Sequence, residues 1–124
     1  MPHIRWGRVL AGALLVELTM MAIIVPLNAV SASAAYFSVP VLAFATAVLF
    51  GRWAARPLAG GFILHGVLVA VAASLMYITL TVAAGVSGDL PMLYHVSHAV
   101  RVAGGAVGGL LARRSATPVP AATA

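Results

Sequence analysis

Residues 9–51 read VLAGALLVELTMMAIIVPLNAVSASAAYFSVPVLAFATAVLFG and hold a single charge, Glu17. These 43 residues, bounded by Arg8 and Arg52, are enough for two membrane-crossing helices of about 20 residues each with a short link. The small polar run Ser31-Ala32-Ser33-Ala34-Ala35 is the natural break, which places spans at about 6–28 and 35–53. Pro26 and Pro40 then fall near the end of one helix and early in the next, where proline is tolerated. Downstream, no charge occurs between Arg56 and Asp89, and a third span fits at about 61–84. Gly85-Val86-Ser87-Gly88-Asp89-Leu90-Pro91 is a turn on composition. A fourth span runs from about 92 to 112 and stops at Arg113-Arg114. The expected fold is all-α, an integral membrane four-helix bundle forming one domain over 1–114. The tail 115–124, with two prolines and no large aromatic, is expected to be disordered.

Composition points the same way. Of the 124 residues, 63% are hydrophobic and 7% charged. With the 12 glycines the apolar share reaches about 73%, against roughly 45–50% apolar and about 25% charged in soluble domains. Nine charges cannot cover the surface of a soluble globule. A soluble enzyme, a disordered tail and a nucleic-acid-binding domain are thereby excluded. All seven positive charges are arginine, and most lie where apolar runs end. They read as topology signals and as contacts to the headgroups of anionic membrane lipids, with no nucleic-acid partner. There is no cysteine, hence no disulfide, thiolate site or cysteine nucleophile.

The arginines sort by loop. Arg5 and Arg8 precede the first span, Arg52 and Arg56 lie between the second and third, and Arg113 and Arg114 follow the fourth. The other two connections carry no positive charge, so both termini and the middle loop are expected to be cytoplasmic. Trp6 and Trp53 fall at the inner interface, and Tyr36, Tyr77 and Tyr94 towards the outer one. A rival reading makes residues 1–34 a cleavable signal peptide, with Ser31-Ala32-Ser33-Ala34 as its cleavage site. The apolar run is longer than an ordinary signal core and contains Glu17.

Two charges are left over. Glu17 lies 12 residues after Arg5 on a helix running outwards, and Arg101 lies 12 residues before Arg113 on one running inwards. Both therefore sit ~18 Å from the inner anchors, near mid-membrane. Each alone costs about 2.5–3.5 kcal/mol at that depth on the insertion scale. Opposite charges at one level predict a buried ion pair, with the first and last helices as neighbours. The pair is either a structural element that sets helix register or a functional one, in which Glu17 exchanges protons or binds a cation.

On the fourth span Tyr94, His98, Arg101, Gly105, Gly108, Gly109 and Ala112 share one face, a polar stripe outside and glycines inside. The Glu17 face of the first span carries Trp6, Leu10, Ala13, Met20, Met21 and Ile24, with Asn28 near the outer mouth and the first three expected against those glycines. Gly104/Gly108 and Gly105/Gly109 are two overlapping GxxxG pairs, a spacing that lets helix backbones approach closely. Their partner is either within the chain or a second copy. Gly66, Ala70 and Ser74 mark a similar face on the third span. Of the four histidines, His3 is expected in solvent and His65 in the inner part of the third span. His95 is expected at the outer interface, and His98 hydrogen-bonded to a neighbouring helix.

No nucleophile, base and orienting group can be assembled, and there is no phosphate loop and no HExxH. His95 and His98 lack further donors for a metal. The expectation is a non-catalytic protein without cofactor or metal, acting by structure or by contact with a larger membrane protein or a second copy. The alternative is a proton- or cation-coupled transporter using Glu17.

Two families share local features. Residues 51–56, Leu64-His65-Gly66-Val67-Leu68-Val69 and Ala103-Gly104-Gly105-Ala106-Val107-Gly108-Gly109 resemble a family of small four-span bacterial membrane proteins of unknown function. Its members have a Gly/Ala/Arg-rich inner loop, a Leu-His-Gly start to the third helix and a Gly-rich fourth. That likeness implies the fold and a bacterial inner membrane, but no activity. Gly12-Ala13-Leu14-Leu15-Val16-Glu17-Leu18 is similar to the first helix of small multidrug resistance transporters, which implies a coupling role for Glu17. The chain departs from that family in having Arg101 opposite the acid and in lacking the aromatic-Gly patch of the third helix.

Overall fold

The computed structural model describes residues 3–86 and 91–116. Four helices account for nearly all of them: α1 (Trp6–Val30), α2 (Ala32–Ala55), α3 (Phe62–Ala83) and α4 (Met92–Arg114). α1, α2 and α3 are long and apolar enough to cross a membrane, the mark of a membrane protein. α4 is equally long, but its glycines, histidines and Arg101 lower its hydropathy.

Local chemistry explains where the helices stop. The break between α1 and α2 is Ser31 alone, shorter than the expected link over 29–34. Its extended backbone ends α1, and its Oγ accepts from the Ala34 N–H at 3.2 Å, capping α2. The alanines that follow are good helix formers and leave no reason for a longer loop. α3 begins after Gly61 and is closed by Gly85, both with positive φ. The Gly85 N–H donates to Val82 O and the Val86 N–H to Thr81 O, the paired bonds of a Schellman stop. Pro26 and Pro40 lie inside α1 and α2, and each helix runs on through its proline. Of the expected outer turn, Ser87 to Leu90 lie outside the described residues, as do residues 117–124 of the tail. Ser115 is not free: its Oγ donates to Leu111 O and accepts from Arg52 Nη2.

The helices do not form a square. α2 and α3 touch, α1 and α4 each pack against both, and no Cα of α1 comes within 8 Å of one in α4. The expectation that the first and last helices are neighbours is therefore corrected: they lie on opposite sides of the α2–α3 pair. Glycine is the reason. A Cβ on Gly104 would strike Phe44 O, and one on Gly108 would strike Val48 O, both on α2. A Cβ on Gly105 would strike Gly66 O, and one on Gly109 would strike Phe62 O, both on α3. The two GxxxG pairs thus serve two partners within the chain, and α4 is seated in the α2–α3 groove.

α1 takes the other side. Val9, Ala13 and Val16 are fully buried, and Val69 of α3 packs over Gly12. Trp6 (56% exposed) and Leu10 (49%) point outwards and Ala13 is buried on the α2–α3 side, so the placement of all three against the α4 glycines is also corrected. With α1 facing α2 and α3 rather than α4, its buried stripe turns towards Val9, Gly12, Ala13, Val16, Glu17 and Met20.

One end of the bundle gathers the arginines. Arg8 donates through Nη2 to Trp53 O at 2.9 Å, and its guanidinium lies 4.5 Å from the Trp53 ring centroid. At the same end the Arg5 N–H donates to His65 Nε2 at 3.1 Å.

Candidate functional site

The site is built where the bundle is loosest. Around Gly51, Gly66 and Gly105, three helices meet backbone to backbone, and no space remains for side chains. Towards the opposite end the small residues of α4 give way to Ser97, His98 and Tyr94, and the helices stand apart. A cavity of about 520 Å³ fills the gap, within the usual range for small-molecule pockets. All four helices line it: Met20 and Ile24 from α1, Val39 from α2, Leu80 from α3, and Tyr94 and His98 from α4.

Glu17 and Arg101 lie on its wall. Arg101 Nη1 donates to Glu17 Oε1 at 2.5 Å, and the residues are 3% and 4% exposed. Because their helices are not in contact, the two long side chains bridge the bundle from opposite sides. The bridge crosses a region of low dielectric, where each charge unpaired would be costly and together they are neutral. Only one N–H of the guanidinium is used in this bond. Arg101 Nε is buried with no partner among the described residues.

His98 departs from expectation. Neither ring nitrogen has a hydrogen-bond partner among the described residues, although both are shielded from solvent. Instead the ring packs edge-on against Tyr94, with centroids 4.5 Å apart, and lies 5.7 Å from Tyr77. His98 thus meets its neighbours through aromatic edges rather than through a helix-to-helix hydrogen bond. Unpartnered buried groups of this kind cost about 1–3 kcal/mol each. His95 is exposed and meets Tyr94 edge-on, with ring centroids 5.4 Å apart. His3 is exposed. Among the described residues no group of three His, Cys, Asp or Glu side chains converges on one point.

His65 was given no role by sequence reasoning, and it has a definite one. It is fully buried, and both ring nitrogens are engaged. Nδ1–H donates to Gly61 O at 3.0 Å, which leaves Nε2 to accept from Arg5. It ties the start of α1 to the start of α3. The first bond is local, reaching back four residues to a carbonyl that also accepts from the His65 backbone N–H. Nothing local hints at the second, which joins residues 60 positions apart. Ser74, on the small-residue face with Gly66 and Ala70, is buried too, and its Oγ is unpartnered among the described residues.

No known protein family, curated protein or solved structure matches this chain.

Proposed function

We propose that this chain is a multi-pass protein of the bacterial inner membrane that carries out no reaction of its own and works by contact. All four helices cross the bilayer in this reading, with both termini and the α2–α3 link on the cytoplasmic side. The clustering of Arg5, Arg8 and Arg52 at one end of the bundle supports that orientation, and the bacterial inner membrane is what the resemblance to small four-span proteins implies.

The observation that carries the non-catalytic reading is the engagement of Glu17 with Arg101. An acid already neutralised by a guanidinium is accounted for by structure and is poorly placed to exchange protons. The backbone contacts at Gly66 and Gly105 also bring α3 and α4 tightly together on the arginine-rich side of the pair. The glycine pairs of α4 are used inside the chain, so contact with another protein falls to the exposed surfaces of the four helices, which on α4 include Val96 and Val107.

The transport reading has one observation in its favour: Glu17 lines the cavity, as an acid on an access path would. The double variant E17Q/R101Q separates the two. It removes the acid but leaves no lone charge. The contact reading expects native gels of mild-detergent extracts to show the double variant in the same assembly as the wild type. Cation resistance conferred by the wild type and lost in the double variant would overturn it.

A further inference from the structure

The arginine-rich end carries charge that the chain itself does not answer. Arg5, Arg8, Arg52, Arg56, Arg113 and Arg114 all flank helix ends there. The sequence has two acids: Glu17 is spent on Arg101, and Asp89 belongs to the α3–α4 link. None of the six meets a carboxylate among the described residues. On α2 the exposed residues Val41, Ala45, Leu49, Trp53 and Arg56 recur every three or four positions. They form one stripe along the helix, apolar for most of its length and cationic at its end. Arg8 of α1 reaches over this stripe, its guanidinium 4.5 Å from the Trp53 ring centroid and its Nη2 donating to Trp53 O. Arg8 Nη1 makes no hydrogen bond among the described residues and, unlike Nε, is not sealed off from its surroundings. Arg56 is exposed, one helical turn beyond Trp53. Two cations from two helices therefore flank one aromatic ring at the end of an apolar strip.

We propose that this seam between α1 and α2 binds one anionic glycerophospholipid, its phosphate diester held by Arg8 and Arg56 and an acyl chain lying along Trp53, Leu49 and Ala45. A guanidinium matches phosphate oxygens with paired N–H donors and gives up its hydration more readily than an ammonium does. A lipid of net negative charge offsets arginines that have no acid, whereas a zwitterionic lipid brings a cation that they repel. A free phosphate would use the charges and leave the apolar strip uncovered; a lipid uses both. The proposal rests on the reading that the chain spans a bilayer with this end at headgroup level.

The chain has two tryptophans, and one of them stands in the site. Trp6 is about 200° around α1 from Arg8 and reports on lipid elsewhere. Full-length Trp6→Phe and Trp53→Phe are reconstituted in phosphatidylcholine bilayers holding a minor share of phosphatidylglycerol, with one lipid at a time brominated on its chains to quench any tryptophan it touches. In Trp6→Phe, phosphatidylglycerol is expected to quench Trp53 saturably and to bind about tenfold more tightly than phosphatidylcholine. Adding Arg56→Gln, a change to an exposed side chain, should cut that preference about fivefold, the worth of one arginine at a membrane surface. Adding Arg113→Gln with Arg114→Gln removes twice the charge and should change it by less than about twofold. In Trp53→Phe, Trp6 should meet the two lipids in proportion to their abundance. Equal affinity for the two lipids, or equal enrichment at both tryptophans, would overturn the proposal. So would an equal loss in the Arg113 and Arg114 variant, which would mean diffuse attraction to the whole end. Displacement of the lipid by inorganic phosphate, but not by chloride at equal ionic strength, would also overturn it and assign the arginines to a free anion. Quenching by phosphatidylcholine in proportion to its abundance keeps the membrane reading apart from these outcomes, and no quenching by either lipid would overturn both.

Discussion

Glu17 and Arg101 are hydrogen-bonded at 2.5 Å although no Cα of α1 comes within 8 Å of one in α4. The pair is a strut across the bundle rather than a clasp between neighbours, and it stands at the edge of a cavity. Its loss should therefore be felt by all four helices. Glu17→Gln and Arg101→Gln each leave one buried charge alone and should cost about 3–5 kcal/mol. The double change should cost clearly less than the sum. A double-mutant cycle on thermal unfolding in detergent measures this, and additive losses would show that the two groups do not interact.

The meeting of Gly66 and Gly105 makes a second prediction. A methyl group at either position has backbone in its way, so Gly105→Ala should destabilise by about 1–3 kcal/mol. Gly7 has open space around it, and Gly7→Ala should leave Tm within a degree or so or raise it slightly. If the glycine face instead joined two copies, Gly105→Ala would change the oligomer on size exclusion and spare the fold of the monomer.

His65 should anchor the beginning of α1. His65→Phe removes the partner of the Arg5 N–H and leaves Gly61 O without its side-chain donor. Amide hydrogen exchange over residues 5–9 is expected to accelerate at least several-fold, with residues 16–20 much less affected. Uniform acceleration along α1 would show that His65 serves the core as a whole.

The absence of cysteine gives a clean test of orientation. Gly60→Cys lies in the α2–α3 link with nothing within 4 Å of its Cβ, and Val86→Cys is 54% exposed at the opposite end. In intact cells a membrane-impermeant maleimide should label Val86→Cys and reach Gly60→Cys only after lysis. The reverse pattern would invert the bundle, and labelling of both would mean that the link and the outer turn are on one side.

Gly85 supplies the positive φ that lets α3 stop. Gly85→Ala should cost about 1 kcal/mol, read as a small fall in Tm, whereas Gly60→Ala should be neutral. An unchanged Tm in Gly85→Ala would mean that the Schellman bonds are not maintained.

Several features were legible in the chain because they depend on one helix at a time. Hydrophobic run lengths, the serine break at Ser31, the glycine stop at Gly85 and the matching depths of Glu17 and Arg101 are all properties of local spacing. The boundaries expected for the four helices accordingly lie within a few residues of those found. Ser31 shows the limit of that reading, since a single capped residue does the work of a loop expected to be longer. The tail was read as starting at Ser115, but that residue is held by Arg52, a partner that composition does not reveal.

What the sequence alone determined is that the chain is helical and apolar, with one acid and one base at the same height. Only the tertiary structure decided how they meet. Helix order in space follows from which surfaces approach most closely, and glycine on α4 fits equally well, on paper, against any backbone. The fit of Gly104 and Gly108 to α2 and of Gly105 and Gly109 to α3 moved α4 away from α1. That displacement turned an expected contact into a gap, which the Glu17 and Arg101 side chains span beside the cavity.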